Sequence, residues 1–280
     1  MRQAFLSQIF IYPVKSLAGI ALDSASVTHL GLENDRRWMI VDNQGRFITQ
    51  RLYPQLALIN TAIESDHITL TSPDTGNITL PLKLEEGAEL SVKVWRDQVN
   101  SLMMSKPQNQ WISQYLQTEC QFVYMPENTI RSIDPQFAVS SEDRVSFADG
   151  FPYLIISQAS LDDLNQRLSA KKLPAVSIHR FRPNLFIEGC DAYAEDQWHS
   201  FKLGKNLFHV VKPCSRCIMT TVDSSTGKKG KEPLQTLMEY RKQGNQAYFG
   251  QNALIDRAYP HSFSLCIGDQ LEIITSKQNA

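Results

Sequence analysis

The feature that most constrains this chain is its punctuation. Runs rich in β-branched and aromatic residues keep being ended by Gly, Pro, Asn or Asp before a helical period can establish itself. LSQIFIYPVKS, SASVTHL, HITLTSP and NITLPL read as strands, and so do the later FPYLIIS, NLFIEG, LFHVVKPC, CIMTTVD and SLCIGDQLEIIT. RRWMIVDNQGRFIT reads as a hairpin, with the polar turn Asp42 to Gly45 between two apolar runs. Pieces this short bury their apolar side chains by pairing, so the expected fold class is mainly β. Few segments keep helical spacing. NQWISQYLQ brings Trp111, Ile112, Tyr115 and Leu116 to one face, and SQASLDDLNQRLSA is an amphipathic helix with Ser160 and Asp163 in a capping pattern. EPLQTLMEYRKQG reads as a helix started near Pro233 and stopped by Gly244.

A length of 280 residues suggests two domains. A first β unit, barrel-like, is expected over residues 1–119 and a second, also mainly β, over residues 120–280, with the polar tract Pro126 to Pro135 close to the division. The tail SKQNA is expected to fray. Formal net charge is −1 and the charged residues are scattered, which excludes a general nucleic-acid or membrane-surface binder and requires any basic site to be local. The apolar stretch at the N-terminus ends too soon, at Pro13, for a signal segment, and no later run of about 18 apolar residues suggests a membrane span. The expectation is a cytoplasmic protein with no membrane partner. Five cysteines, Cys120, Cys190, Cys214, Cys217 and Cys266, show no disulfide-framework spacing and fit a chain kept reduced.

The densest cluster of unusual residues is KPCSRC, Lys212 to Cys217. A CxxC has three readings: half of a zinc site, a redox dithiol, or one metal-binding thiolate beside a bystander. Zinc needs further Cys or His ligands at similar spacing, and the sequence has no second CxxC and no HxxxH. A thioredoxin-like dithiol opens a helix, whereas CIMTTVD is β-rich. The third reading leaves a thiolate flanked by Arg216 and Lys212, whose charges favour ionisation and draw an anion. Two merely structural cysteines remain an equal alternative on these residues alone.

KPCSRCIMTTVD, followed by EPLQTLMEYR and FGQN, resembles the core of the MOSC domain in bacterial YcbX-type proteins and the mitochondrial amidoxime-reducing component. IYPVKSLAG and DRRWMIVD resemble the N-terminal β-barrel domain of the same proteins, and SFADGFPYLIIS, ASLDDLN, FRPNLFIEG and IGDQLEI match further segments in the same order. The resemblance covers nearly the whole chain. It implies a molybdenum cofactor, Mo-molybdopterin, with the second cysteine of CSRC, Cys217, as the protein ligand to the metal and Cys214 as a neighbour. Soft thiolate ligation suits such a metal. The cofactor phosphate and pterin call for fixed positive charge, and Lys15 and Ser16 in PVKS, Arg36 in DRRW and Arg182 in FRPN stand where the family contacts it. Asp149, Gly150 and Phe151 correspond to the loop that approaches the metal, with Asp149 able to orient a bound oxygen or relay a proton. Family members often carry small hydroxylated residues after this Asp; Gly150 and Phe151 leave only backbone contacts in that role. Ser215, Arg216, Asn184 and Asn252 complete the expected cofactor set, with turn formation and strand-end hydrogen bonding as their structural alternatives.

The resemblance further implies reduction of N-hydroxylated or N-oxygenated small molecules. YcbX-type proteins often continue into a ferredoxin-like domain; this chain stops after IGDQLEIITSKQNA, so a separate flavoprotein reductase or ferredoxin is expected to supply electrons. Two other functions stay open: a cofactor or sulfur carrier without turnover, and a β-barrel that binds no cofactor. No pyridoxal-phosphate binding is expected.

Overall fold

The computed structural model describes residues 3–259 and 263–277. Its strands in chain order are β1 (Phe5–Ile11), β2 (Ile20–Leu22), β3 (Ser24–Thr28), β4 (Gly31–Leu32), β5 (Trp38–Asp42), β6 (Asn60–Glu64), β7 (His67–Ser72), β8 (Gly76–Pro81), β9 (Ala88–Val94), β10 (Asp97–Met103) and β11 (Cys120–Tyr124). They continue with β12 (Tyr153–Ser157), β13 (Leu185–Glu188), β14 (Trp198–Leu203), β15 (Asn206–Arg216), β16 (Lys242–Gln243), β17 (Gln246–Ile255), β18 (Ser264–Cys266) and β19 (Leu271–Ser276). The helices are α1 (Lys106–Leu116), α2 (Gln158–Ala170) and α3 (Leu234–Tyr240). The fold is mainly β, as the short apolar runs require.

Among the described residues, the largest sheet has nine strands in the order β19-β14-β15-β17-β12-β13-β1-β2, with β16 paired to β17. A four-stranded sheet runs β5-β11-β10-β9, and two three-stranded sheets are β18-β3-β4 and β6-β7-β8. β12 is buried along its whole length. The cause is that the large sheet is covered on both faces: Tyr153 and Ile155 enter one core with Leu6, Ile9 and Trp198, while Ile156 enters another with Phe10, Phe186 and Leu164 of α2. Alternate residues of one strand therefore serve two cores, which is why YLIIS has no polar face.

The division expected at 119/120 does not follow the strand pairing. β11 begins at Cys120 and pairs with β5 and β10, so the four-stranded sheet continues to Tyr124. Conversely, β1 pairs with β13, and β3 pairs with β18 near the other end of the chain. The two halves are laced together by strands from each.

Local details depart from the sequence reading in four places. Helix α2 is capped by Ser157, whose side chain accepts from the Ser160 N–H; the expected cap, Ser160, is fully buried and donates to Glu195 Oε1 at 2.7 Å. α3 ends at Tyr240, and Gly244, at φ 59°, turns the hairpin between β16 and β17. CIMTTVD is no strand. β15 runs on through Arg216, and Ile218–Thr221 form a single 3-10 turn. Within the tail SKQNA, residues 278–280 lie outside the described residues, and Ser276 closes β19. The Asp42 to Gly45 turn forms as read, with the Gly45 N–H donating to the Asp42 carbonyl at 2.9 Å.

Candidate functional site

The expected site residues come from six separate stretches of chain. All twelve line one cavity of about 490 Å3 between the four-stranded sheet's side and the large sheet. Seven Lys or Arg side chains line it (Lys15, Arg36, Arg51, Arg180, Arg182, Lys212 and Arg216) against one carboxylate, Asp149. In a chain of net charge −1 this is the local basic site that composition demanded. Four of its residues, Ser16 (φ 73°), Arg36 (φ 51°), Trp95 (φ 57°) and Arg182 (φ 57°), hold left-handed backbone conformations that ordinary side chains disfavour. Strain of this kind, worth about 1–3 kcal/mol at each position, persists where the surroundings over-determine it and gathers at functional sites.

Arg36 and Arg182 both lie over the Tyr12 ring, their guanidinium carbons 4.5 and 4.0 Å from its centroid. Burial pushes the Tyr12 phenol up to about 12, so the ring stays neutral between them. The two arginines then part in role. Arg36 spends its donors inside the protein, on Asp35 at 2.5 Å and on Asn184 Oδ1 and the Arg182 carbonyl at 3.1 Å. Arg182 gives one N–H to the Leu17 carbonyl at 2.5 Å, which leaves most of its five donors to the cavity. Burial lowers its pKa to about 10, still far above neutrality. Asn184, 1% exposed, is likewise consumed: its Nδ2 donates to the Phe10 carbonyl and its Oδ1 accepts from Arg36. It braces the site from behind. Asn252 Nδ2 donates to the Lys212 carbonyl at 3.2 Å, tying β17 to β15. On its other side β17 approaches β12 closely at Gly250 (φ 80°), where a Cβ would stand 2.7 Å from the Ile155 carbonyl oxygen.

Asp149 and Lys15 form the acid–base pair of the site. Lys15 Nζ, nearly buried, donates to Asp149 Oδ1 at 2.6 Å and to the Phe147 carbonyl at 2.7 Å. Burial pulls the Lys15 pKa down to about 8, with Asp149 opposing the fall. Desolvation alone would raise Asp149, but the Lys15 charge and hydrogen bond, with Arg51 and the Trp95 indole, hold its carboxyl well below the usual carboxylate range. Its side chain is 59% exposed, so water reaches the carboxylate and screens these charges.

At the sulfur end, Cys217 sits between β15 and the 3-10 turn, and Arg51 Nε donates to its Sγ at 3.4 Å. Arg216 points away from Cys217: Nη1 donates to Cys214 Sγ at 3.2 Å and Nη2 to the Phe181 carbonyl at 3.1 Å, while its buried Nε has no partner. Burial raises the Cys214 pKa, Arg216 opposing, so Cys214 is the thiol and packs as a neighbour. Among the described residues no three His, Cys, Asp or Glu gather as a metal group, so a zinc reading of CSRC finds no further ligands. Ser215 is exposed on β15, Gly150 opens onto empty space, and Phe151 meets Phe137 edge-on with centroids 5.8 Å apart.

Three residues that sequence reasoning passed over complete the geometry. Arg51 bridges Cys217 and Asp149, its Nη2 3.7 Å from Asp149 Oδ2. Trp95 lies against Arg51, ring centroid 4.7 Å from the guanidinium carbon, and donates to Asp149 Oδ1 at 3.3 Å. Arg131, buried behind the loop, donates to the carbonyls of Ser146, Ala148 and Asp149 and pairs with Asp97. These partners are far apart in sequence and belong to no motif.

Residues 3–119 match the MOSC N-terminal beta barrel domain and residues 142–272 match the MOSC domain. The chain is 33% identical over 282 residues to mitochondrial amidoxime-reducing component 1 of Mus musculus, covering 96% of this chain and 82% of that protein. This chain belongs to the amidoxime-reducing-component family of MOSC proteins. The human component 1 is 34% identical across 90% of this chain and 78% of its own, and component 2 of Bos taurus is 35% identical across 84% and 72%. Family membership accounts for the cavity's position, because the two matched regions are the two that supply its walls. No helix among the described residues is long and apolar enough to cross a membrane.

Proposed function

We propose that this chain is a molybdenum-cofactor-dependent reductase of N-hydroxylated compounds, supplied with electrons by a separate flavoprotein reductase or ferredoxin. The observation that carries the reading is the convergence of the Cys217 thiol with the arginines of a seven-cation cavity, in a chain whose relatives are named for reducing amidoximes.

The residues fit the cofactor that the family implies, a phosphate-bearing pterin holding molybdenum through sulfur. Cys217 offers a soft donor at the cavity wall. Arg182, Arg216 and Lys212 form no ion pair among the described residues, and the orphaned Arg216 Nε is a buried donor awaiting an acceptor. Arg182 and Arg216 would hold the phosphate and pterin oxygens, Cys217 would ligate the metal, and Arg36 and Asn184 would keep Arg182 in place. When bound, the cofactor supplies a two-electron centre able to accept oxygen from an N–OH group.

The protein's own chemistry is proton supply. Conversion of R–NHOH to R–NH2 and water consumes two electrons and two protons. Asp149 cannot be the donor at neutral pH, since Lys15 and Arg51 keep it ionised. Lys15, held near 8 and hydrogen-bonded to Asp149, releases one of the two protons, Asp149 remains ionised and orients the departing hydroxyl toward it, and the second proton comes from the water that reaches the exposed carboxylate. Arg131 fixes the loop that carries Asp149.

The test uses protein made in a host that synthesises the cofactor, reduced anaerobically and mixed with several N-hydroxylated compounds. Stoichiometric reoxidation with formation of amine or amidine is expected. Silence toward all of them would overturn the reading, and release of cofactor to an apo-enzyme without turnover would establish the carrier alternative.

A further inference from the structure

A second basin, of about 690 Å3, opens beside the first, and five residues line both: Trp95, Asp149, Gly150, Phe151 and Lys212. Nothing so far assigns it a role. Its walls are aromatic where the two basins join. Phe137 and Phe151 meet edge-on, and Lys212 Nζ lies 4.2 Å from the Phe137 centroid.

Trp95 is the least expected of these. Val94 and Asp97 pair across the β9–β10 hairpin, so Trp95 and Arg96 are its two-residue turn. The first position of such a turn takes φ > 0 and favours Gly or Asn, yet here a tryptophan stands at φ 57°. One side is fixed by Arg51 and by Phe47, whose centroid lies 5.1 Å away, and its N–H by Asp149. Even so the side chain is 46% exposed. A large indole held in a disfavoured conformation, anchored to the acid and left open at the junction, is an arrangement for stacking a ring.

The charges of the second basin also point one way. Asp97 and Asp134 are taken up by Arg131 (2.8 Å) and Arg96 (2.5 Å), and Asp149 by Lys15. Lys93 and Lys212 form no ion pair among the described residues. Between the basins stands Gly150, where an added Cβ would meet nothing within 4 Å. A side chain there would project into open space where the two basins meet.

Resting on the proposed reductase function, we propose that this second basin is a substrate subsite for planar aromatic N-hydroxylated compounds that carry an anionic substituent. The ring lies on the open part of Trp95, its N–OH group passes Gly150 toward Asp149 and Cys217, and the anionic group reaches Lys212.

The test titrates the full chain, in its cofactor-free form, with benzamidoxime, 4-carboxybenzamidoxime and acetamidoxime while following tryptophan fluorescence. The other tryptophans, Trp38, Trp111 and Trp198, are buried, so the response reports Trp95. Binding in the order carboxylated aryl, neutral aryl, alkyl is expected. Gly150→Val, which sets a branched side chain in the space between the basins without backbone strain, should raise the dissociation constant of the carboxylated aryl compound by about tenfold, and Trp95→Leu, read by calorimetry, should do the same. In cofactor-loaded enzyme both variants should raise KM for aryl substrates more than for acetamidoxime. An unchanged aryl-to-alkyl preference in both would overturn the subsite while leaving the reductase intact. Binding that both variants weaken, in an enzyme that turns over no N-hydroxylated compound, would instead overturn the reductase reading and leave the binding site standing. Tighter or equal binding of the uncharged aryl compound would remove the anionic requirement.

Discussion

At the scale of the residue, the arginines that sequence reasoning grouped together separate by what their donors already do. Arg36→Ala leaves the buried Asp35 carboxylate without its ion-pair partner and with only the Tyr12 N–H, so it should cost stability as well as cofactor, about 1–3 kcal/mol in urea unfolding. Arg182→Ala gives up one internal bond and should chiefly lower cofactor occupancy, about tenfold in affinity. Equal loss of stability in both variants would contradict this division. Lys15 makes a pH prediction of definite sign. Its folded value of about 8 lies below the ordinary lysine value of 10.5, so between these the unfolded chain binds a proton that the folded chain does not, and this group adds stability as pH rises through that window. Its cationic and proton-donating roles run the opposite way: turnover should fall as pH rises through about 8. In Lys15→Arg the charge persists but the proton is no longer released, so the variant should load cofactor and turn over poorly at every pH. The residues that converge on the cavity were legible because each stood in a motif. Arg51, Trp95 and Arg131 were not, since their roles exist only through partners 166, 54 and up to 34 positions away.

At the scale of the element, strands and helices followed the periodicity of the sequence, and the departures came from tertiary partners. Ser160 was a reasonable cap by spacing, but Glu195 claims its hydroxyl and Ser157 caps instead. Ser157→Ala should therefore cost about 1 kcal/mol, measured by urea unfolding, without altering cofactor content. The β-rich CIMTTVD became a 3-10 turn because β15 had already continued to Arg216, opposite Ala247 of β17. The loop carrying Asp149 has almost no regular structure, and Arg131 stands in for the missing ladder by taking three of its carbonyls. Arg131→Met strands Asp97 and those carbonyls. It should lower stability by about 3–5 kcal/mol, and protection of the 146–149 amides from exchange should fall with it.

At the scale of the whole molecule, two β units were legible, and their interlacing was not, because pairing of β1 with β13 and of β3 with β18 joins segments remote in sequence. A fragment of residues 120–280 would expose β13 along the edge that β1 covers and would lack Lys15, Arg36 and Arg51. It should aggregate and bind no cofactor. The central claim is that one thiolate, Cys217, joins a cation-lined cleft built by both halves to hold molybdenum. The most direct test is the metal and pterin content, with X-ray absorption at the molybdenum edge, of the chain and of its Cys217→Ser and Cys214→Ser variants from a cofactor-producing host. Molybdenum and pterin are expected in the parent chain, with one sulfur ligand lost in Cys217→Ser and none in Cys214→Ser. Absence of molybdenum from the parent chain, or the same loss of sulfur ligation in both variants, would contradict the account.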